Sequence, residues 1–327
     1  MNTKIVYILT SSEKDFYLEQ TMISACSLKK HNPDCYAILV IDSRTNLQLQ
    51  GSRHNIMQYF DELKVIDVPV EFNQIQSSRY IKTSLRNHID GNYLFIDGDT
   101  VICDDLSEID RFNEPIAAVL DCHLPISEHQ HKKLICEWAE KAGWEIIGDK
   151  YYNSGVMYVS DTPVAHDFYK LWHDKWLENS NKGFPRDQPT MGLTNNAMSG
   201  LISEMPGQWN CQIFDNGIKY FGDAKIIHYF SSRGAISSAS PFILANNEIM
   251  ADIRKNDYFI PISLLSLICD HRNLLSSGIT LIGKEDASFY YSSLAYYLKK
   301  IYKSHPNMYD KVEKFIAFII NLSLIHI

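Results

Sequence analysis

Short apolar runs alternate with helix-like stretches through the first half of the chain, and this alternation restricts the fold more than any other feature. Strands are predicted at residues 5–9, 37–41, 65–68, 93–96 and 116–120. Helices are predicted from the polar segment 10–13 through residue 28, and around residues 80–88. Strands that alternate with helices are typical of parallel sheets covered on both faces. The sequence therefore predicts the α/β class, with a mostly parallel, doubly wound sheet.

Two carboxylates, one residue apart, follow the apolar run Tyr93–Ile96. Gly98 lets the backbone turn between them, so that Asp97 and Asp99 can face one point. Mg²⁺ and Mn²⁺ prefer oxygen ligands, and substrate phosphates and water usually complete their shell. Open α/β sheets bind ligands beyond the carboxyl ends of their strands, where this pair lies. The pair indicates a divalent metal that bridges to a diphosphate; the alternative is an ordinary Asp-Gly turn.

Three polar groups further along the chain suit a sugar or a metal. The sequence Asn-Ser-Gly at 153–155 is predicted as a turn between two apolar segments, and its amide can bond to a sugar hydroxyl; a purely structural turn is the alternative. Asp187 and Gln188 stand at the start of a predicted helix, where either could instead be its N-cap. His228 ends an apolar strand, where it could complete a metal site or be a structural residue.

Taken in order, these motifs resemble glycosyltransferase family 8, which comprises retaining nucleotide-sugar transferases. The family includes bacterial lipopolysaccharide galactosyltransferases and glucosyltransferases, and the glycogenins. The resemblance covers roughly residues 3–235 and rests on the combination of motifs. It implies a GT-A type fold, with a Rossmann-like mixed and mostly parallel sheet and a C-terminal helical extension.

The resemblance also implies a set of site residues. Mn²⁺ (or Mg²⁺) would be held by Asp97, Asp99 and His228, with UDP-galactose or UDP-glucose bound against the metal. The implied donor-binding residues are Thr10, Ser11, Tyr17, Arg79, Asp97, Gly98, Asn153, Ser154, Asp187 and Gln188. Lys82 could assist with the phosphates. Asp187 and Gln188 are the candidate catalytic residues.

One segment departs from the family pattern. Family members commonly follow the metal-binding histidine with Gly and then Lys-Pro-Trp, whereas this chain continues from His228 as Tyr-Phe-Ser-Ser-Arg-Gly-Ala. The phosphate-binding lysine is thus missing at its usual place. Arg233 could replace it as a cation, although a planar guanidinium and an ammonium differ in geometry.

The predicted activity is transfer of galactose or glucose from the UDP-sugar to a hydroxyl of a glycan or lipid-linked glycan, in surface polysaccharide or lipopolysaccharide synthesis. A bound metal can neutralise the charge that develops on the departing nucleoside diphosphate. The alternatives are a degenerate nucleotide-sugar-binding protein and a metal-dependent hydrolase or nucleotidyltransferase. The Asn-Ser-Gly and Asp-Gln motifs favour transfer, because groups arranged for a sugar are superfluous in diphosphate cleavage.

Charge and cysteine content argue against several other classes. The chain has 327 residues and a net charge of -8, so it lacks the excess of basic residues that is typical of a nucleic-acid-binding protein. Its seven cysteines form no Cys-x-x-Cys pair and are odd in number, which predicts reduced thiols in a cytoplasmic protein. The N-terminus enters a strand-like run directly, and we identify no secretion signal.

A second group of potential metal ligands lies at Cys122, His123, His129 and His131. Thiol and imidazole groups bind zinc, but no second close pair completes four ligands in the sequence. We therefore favour a different role for the insertion at 122–148. It falls between two motif-bearing strands, and we predict that it lies near the acceptor as a lid or wall.

Beyond about residue 240 the sequence becomes helical, aromatic and rich in lysine. We predict a nucleotide-sugar-binding catalytic domain at 1–240 and a helical subdomain at 241–327. The apolar run at 315–327 is too short to cross a bilayer, which needs about twenty residues. Packing on the catalytic domain or on another subunit of a homo-oligomer is preferred, and peripheral contact with the inner face of a membrane is the alternative.

Overall fold

The computed structural model of the chain describes residues 1–146, 148–229, 242–275, 288–289 and 291–324, with side chains up to residue 316 in the last range. The chain divides into two compact units, Met1–Ile279 and Thr280–Ile327. The domain boundary predicted at residues 240 and 241 lies outside the described ranges and stays a prediction.

The described residues form ten strands in two sheets. The strands are β1 (Lys4–Leu9), β2 (Ala37–Asp42), β3 (Glu62–Ile66), β4 (Tyr93–Ile96), β5 (Thr100–Ile102), β6 (Ile116–Leu120), β7 (Tyr152–Val159), β8 (Ile202–Glu204), β9 (Cys211–Gln212) and β10 (Ile226–His228). The larger sheet has the order β3-β2-β1-β4-β7-β6-β8, and the smaller one has the order β5-β10-β9. In the larger sheet β7 runs antiparallel to β4 and β6, and the other pairings are parallel. The predicted α/β class with a mixed, mostly parallel sheet is confirmed.

Helices cover the larger sheet on both faces, and buried apolar clusters lie between them and the strands. The helices of the first unit are α1 (Tyr17–His31), α2 (Ser43–Gln48), α3 (Gln74–Ser84), α4 (Lys132–Lys141), α5 (Pro163–Asn181), α6 (Asp187–Ala197), α7 (Asn247–Lys255) and α8 (Ile262–Ile268). The second unit contains α9 (Ser293–Ser304) and α10 (Pro306–Leu324), whose Tyr302 and Tyr309 rings lie 5.0 Å apart. Within the described ranges, none of the helices combines the length and the apolar character needed to cross a membrane.

The predicted start of the first helix is wrong. Helix α1 begins at Tyr17 rather than within residues 10–13, and it ends at His31, about one turn later than predicted. The Asp15 carboxylate accepts hydrogen bonds from the Ser11 hydroxyl, the Ser12 amide and the Tyr17 amide. These bonds hold the preceding segment as a loop, which offers its polar groups a partner outside a helix.

Two further boundaries also differ from the predictions. Strand β3 lies at Glu62–Ile66 rather than at 65–68, because its ladder with β2 begins at Glu62. It is an edge strand with mostly half-exposed residues, so its apolar pattern is weak. Helix α3 begins at Gln74 rather than near residue 80, because Asn73 and Gln76 form a capping box at its start.

The turn predicted at Asn-Ser-Gly is wrong. Residues 153–155 lie inside β7, which is buried along its whole length from Tyr152 to Val159. The strand is paired on both sides, with Val156 opposite Ile96 in β4 and Tyr152 opposite Leu120 in β6. Pairing with two neighbours satisfies the backbone of a polar segment that would otherwise favour a turn.

A buried ion pair fixes α7 to α1. The Arg254 guanidinium donates to the Glu19 carboxylate at 2.5 Å, and the Glu19 side chain is fully buried. The same guanidinium donates to the backbone carbonyls of Glu13 and Asp15 in the loop before α1. A buried carboxylate without a cation is strongly unfavourable, so the contact depends on both partners.

Arg254→Met is expected to lower the free energy of unfolding by about 3–5 kcal/mol, because it leaves the Glu19 carboxylate buried without its cation. Urea denaturation followed by circular dichroism measures the change. The double variant Glu19→Gln/Arg254→Met should recover part of the loss, since it buries no charge. Lys255→Met is the matched control, because Lys255 pairs with Asp252 at the surface. If Arg254→Met and Lys255→Met lowered the free energy of unfolding equally, the stabilising role of the Arg254–Glu19 pair would be contradicted.

Candidate metal and donor site

The pairing of β5 with β10 brings the predicted metal ligands together. Asp97 and Asp99 lie between β4 and β5, and β5 pairs antiparallel with β10 so that Thr100 is opposite His228. One ligand atom from each of Asp97, Asp99 and His228 lies within 4.8 Å of the others. His228 Nε2 lies 3.2 Å from Asp99 Oδ1. The register of the smaller sheet therefore positions the imidazole beside the two carboxylates.

Asn210 orients the His228 ring. The two are joined by a contact of 3.2 Å between His228 Nδ1 and Asn210 Oδ1. A proton on Nδ1 leaves Nε2 as the ligating atom that faces Asp99. The Asn210 amide also donates to Asn153 Oδ1 at 3.0 Å, which connects the carboxylate cluster to the polar residues of β7. Sequence reasoning missed Asn210, because no local pattern marks it.

Two glycines leave the space that this cluster needs. A Cβ atom at Gly155 would lie 2.3 Å from His228 Cε1 and 2.9 Å from Asp97 Oδ2. At Gly98 a Cβ atom would lie 2.3 Å from the hydroxyl of Thr21 on α1. The Asp97 amide also donates to the Gly155 carbonyl at 2.7 Å. Gly155 is thus part of the cluster's wall, and Gly98 permits the close approach of α1.

A buried lysine joins the carboxylate pair to the second polar group. Lys82 on α3 is 3% exposed, and its ammonium lies over the Phe95 ring at 4.8 Å. Lys82 Nζ is 3.3 Å from an oxygen of Asp97, 3.3 Å from one of Asp187 and 3.3 Å from the Ser154 hydroxyl. The Lys82 ammonium therefore pairs with two carboxylates, Asp97 after β4 and Asp187 in α6.

Asp187 has a second cation beside it. Arg79 Nε lies 2.9 Å from Asp187 Oδ1, and the Ser154 hydroxyl donates to Asp187 Oδ2 at 3.0 Å. Burial alone would raise the pKa of Asp187, but Arg79 and Lys82 outweigh burial and hold that pKa well below its ordinary value. The same contact raises the pKa of Arg79. Asp187 is therefore a carboxylate at any physiological pH.

The alternative helix-capping role for Asp187 and Gln188 is wrong. Both residues lie inside α6, and Arg186 occupies the N-cap position. The side chain of Gln188 instead accepts a hydrogen bond from the Ser154 amide at 3.3 Å. Their side chains thus bond to β7 and α3 rather than to the start of α6.

Hydrogen bonds to the end of β6 and within β7 hold the Asn153 side chain in place. Its amide donates to Asp121 Oδ1 at 2.9 Å, and its carbonyl oxygen accepts from the Gly155 amide at 2.9 Å. Asp121 comes directly after β6, so it is a carboxylate at a strand end. The rule that identified the first carboxylate pair could have identified Asp121 as well.

Burial raises the pKa of Asp97; Lys82 opposes the shift, and the charge of Asp99 adds to it. Two adjacent carboxylates disfavour each other's ionised form. A divalent cation beside both would offset this repulsion. The donor set of two carboxylates and one imidazole fits a metal such as Mn²⁺ or Mg²⁺, whose preferred ligands are mostly oxygen.

Thr10 and Ser11 follow β1, and both hydroxyls are bonded within the first unit. The Thr10 hydroxyl donates to the Gln74 carbonyl at 3.1 Å. The Ser11 hydroxyl donates to Asp15 at 2.9 Å and accepts from the Arg53 guanidinium at 3.2 Å. The structure thus places both residues at a strand end, with their side chains already bonded to the start of α3, to the loop before α1 and to the segment after α2.

Tyr17 opens α1 and is 39% exposed. Partial burial raises the pKa of its hydroxyl, the charges of Asp15 and Asp99 raise it further, and Arg79 opposes them. Tyr17 therefore lies within electrostatic range of the carboxylate cluster. Arg233 lies outside the described residues.

Known structures with this fold include glycosyltransferases. A crystal structure of the galactosyltransferase LgtC with donor and acceptor sugar analogues is 16% identical, with a TM-score of 0.51 over 81% of this chain and 99% of that chain. An active-site mutant of LgtC, also 16% identical, gives a TM-score of 0.54 over 80% and 98%. GlyE of Streptococcus pneumoniae, 17% identical, gives a TM-score of 0.47 over 86% and 67%. No family model and no curated protein matches the sequence. The likeness to LgtC confirms the expected GT-A type fold.

Asp187→Asn is expected to lower the free energy of unfolding at neutral pH by about 2 kcal/mol, because Arg79 and Lys82 lose a shared counter-charge. The folded-state pKa of Asp187 lies below its ordinary value of 3.8. Its stabilising contribution is therefore complete above about pH 4 and is lost as the pH falls through the folded-state pKa.

Urea titrations of the wild type and the variant at several pH values measure this contribution. The difference between them should be constant from about pH 5 to pH 7 and should shrink below about pH 4. The exposed Asp167 on α5 offers the control variant Asp167→Asn, which should differ little from the wild type throughout. A difference for Asp187→Asn that grows on acidification would contradict the assignment.

Proposed function

We propose that this chain is a metal-dependent, retaining glycosyltransferase of the family 8 type. It transfers galactose or glucose from UDP-galactose or UDP-glucose to a hydroxyl of a glycan acceptor. One observation carries the proposal. Ligand atoms of Asp97, Asp99 and His228 lie within 4.8 Å of one another at a strand end, in a fold shared with a galactosyltransferase.

The metal ligands in this proposal are Asp97, Asp99 and His228. When bound, Mn²⁺ or Mg²⁺ supplies positive charge that neutralises the departing nucleoside diphosphate. Asn210 holds the His228 ring so that Nε2 faces Asp99. Gly155 keeps the adjoining space free of a side chain. Within this account Asn210 and Gly155 are positioning residues.

Asp187 is suited to stabilise positive charge rather than to donate a proton. Two cations keep it ionised, so it has no proton to give at physiological pH. A carboxylate can accept hydrogen bonds from sugar hydroxyls and stabilise an oxocarbenium-like centre. Gln188 on α6 accepts a hydrogen bond from the Ser154 amide, and Asn153 precedes Ser154 in β7, so their side-chain amides can orient further hydroxyls.

Lys82 acts through its neighbours. Its ammonium is almost fully buried and lies within 3.3 Å of Asp97 and of Asp187. This arrangement favours a role in fixing the two carboxylates over the direct phosphate contact expected from sequence. Arg79 is more exposed and remains the better candidate for contact with the donor.

The acceptor proposed from the family resemblance is a glycan or lipid-linked glycan of the cell surface. A helix that carries exposed aromatic and lysine side chains supports peripheral contact with a membrane. Helix α9 has this character, since Tyr296, Tyr297 and Tyr302 are each more than half exposed and the helix carries three lysines. We propose a cytoplasmic protein in which this helix packs on another surface of the protein or, as the alternative, contacts the inner face of the membrane peripherally.

Turnover of a nucleotide-sugar panel with Mn²⁺ and a set of glycan acceptors tests the function. One UDP-hexose is expected to yield UDP and a glycosylated product, and chelation should abolish the reaction. Asp97→Asn and Asp99→Asn should each lower kcat/KM by at least about 100-fold, since each removes a metal ligand. Asp104→Asn, at an exposed position nearby, is the matched control and should retain activity.

The other outcomes separate the alternatives. UDP release that needs no acceptor would identify a nucleotide-sugar hydrolase. Metal-dependent binding without product would identify a degenerate nucleotide-sugar-binding protein. Absence of binding to every nucleotide sugar would overturn the proposal.

Gly155→Ala is expected to weaken Mn²⁺ binding by at least about tenfold, because the added methyl group displaces His228 and Asp97. Electron paramagnetic resonance of free Mn²⁺ measures the affinity. Gly222→Ala is the control, since a Cβ atom there meets no other atom within 4 Å. Wild-type Mn²⁺ affinity in a folded Gly155→Ala protein would show that the cation binds elsewhere.

A further inference from the structure

A second group of metal-ligating side chains lies just after β6. The Cys122 thiol, an imidazole nitrogen of His131 and a carboxylate oxygen of Asp215 lie within 4.8 Å of one another. Cys122 is fully buried, Asp215 is 4% exposed and His131 is partly buried. The sequence left the cysteine and histidines of this segment without a complete ligand set. The fold supplies Asp215 from a distant part of the chain.

His129 also approaches Cys122, but its proton excludes it as a ligand. The amide of His131 donates to His129 Nδ1 at 3.0 Å, so Nδ1 carries no proton. In the neutral ring the proton is then on Nε2, which faces Asp121 Oδ2 at 3.2 Å. A protonated nitrogen has no lone pair for a metal. His129 therefore serves as a hydrogen-bond donor to Asp121.

The backbone presents the Cys122 thiol from a fixed position. Cys122 and His123 have φ angles of 54° and 55°, a left-handed conformation that is uncommon for residues with side chains. Gln212 accepts a hydrogen bond from the Cys122 amide at 2.7 Å, and Asn216 donates to the Cys122 carbonyl at 3.1 Å. Such support on both sides is what a preorganised ligand site requires.

The space between the thiol and the carboxylate already holds a positively polarised group. Gln130 Nε2 lies 2.7 Å from Asp215 Oδ1 and 3.6 Å from Cys122 Sγ, so the amide donates to both. These two atoms are therefore arranged to share one electropositive partner. A cation that enters takes over this position, and the Gln130 side chain must then shift.

We propose that Cys122, His131 and Asp215 form a second metal site, selective for a cation of the zinc class. Thiolate and imidazole are preferred ligands of Zn²⁺, whereas Mn²⁺ and Mg²⁺ prefer oxygen. Three protein ligands leave the fourth tetrahedral position to water, as in zinc sites that are open to solvent. The site goes beyond the proposed transferase activity and does not depend on it.

A metal bound at this site would link the segment after β6 to the loop after β9, close to the predicted donor residue Asn153. The loop after β9 contains Asp215. Asp121, the neighbour of Cys122, accepts a hydrogen bond from Asn153. A cation bound there stabilises the folded chain by mass action and raises Tm.

Titration of the full chain with Co²⁺ tests the proposal, because cobalt replaces zinc and reports a thiolate ligand through a near-ultraviolet charge-transfer band. The Asp97→Asn/Asp99→Asn background weakens the first cluster, so that the signal comes from the second. We expect a charge-transfer band that saturates at one equivalent of Co²⁺ and is abolished by excess Zn²⁺.

Variants locate the ligands. Cys122→Ser should abolish the band, whereas Cys136→Ser, which removes an exposed thiol on α4, should leave it unchanged. His131→Ala and Asp215→Asn should each lower Co²⁺ affinity at least about tenfold while the circular dichroism spectrum stays that of the parent.

Absence of a thiolate band in the parent protein would overturn the proposal, and the Gln130 amide would then be a hydrogen-bond donor to both groups rather than a group that a cation displaces. A band that persists in Cys122→Ser, or that vanishes in Cys136→Ser, would overturn it as well. If Cys122→Ser fails to fold, His131→Ala still tests the proposal. The His131 side chain is only partly buried, so its removal disturbs the fold less than a change at the fully buried Cys122.

Discussion

The ammonium group of Lys82 is the interaction on which the candidate site depends. It lies 3.3 Å from both Asp97 and Asp187, which reach it from the end of β4 and the start of α6. A buried cation is stable only when paired charges and hydrogen bonds replace its hydration. Here two carboxylates and the Ser154 hydroxyl provide them. Removing either carboxylate leaves the buried ammonium with one counter-charge instead of two, which is unfavourable in surroundings of low dielectric constant.

The position of β7 explains how the two polar groups meet. This strand runs between β4 and β6 and is antiparallel to both, so residues 153–155 lie next to the end of β4 instead of at the opposite edge. From there Ser154 reaches Asp187, while Gly155 leaves room for His228. Pairing of β5 with β10 delivers that histidine from the smaller sheet. The site is thus assembled where the two sheets adjoin.

The alternation of strands with helices and the ends of several strands were predictable from sequence, because both depend on local apolar patterns. Those patterns placed β1, β2, β4 and β6 correctly and singled out Asp97, Asp99 and His228. Long-range contacts decided the rest. The start of α1 depends on Asp15, whose loop also bonds to Arg254 near the other end of the first unit. Asn210 and Asp215 gain their positions only when β9 and the loop after it fold against β7 and the segment after β6.

Anomalous diffraction from crystals soaked with Mn²⁺ and UDP locates the metal without reference to turnover. We expect an anomalous peak within coordination distance of Asp97, Asp99 and His228, about 2.0–2.2 Å from their ligand atoms, with diphosphate oxygens bound to the same ion. UDP bound without Mn²⁺ near these residues, or a manganese peak only at another place in the chain, would contradict the proposed metal site.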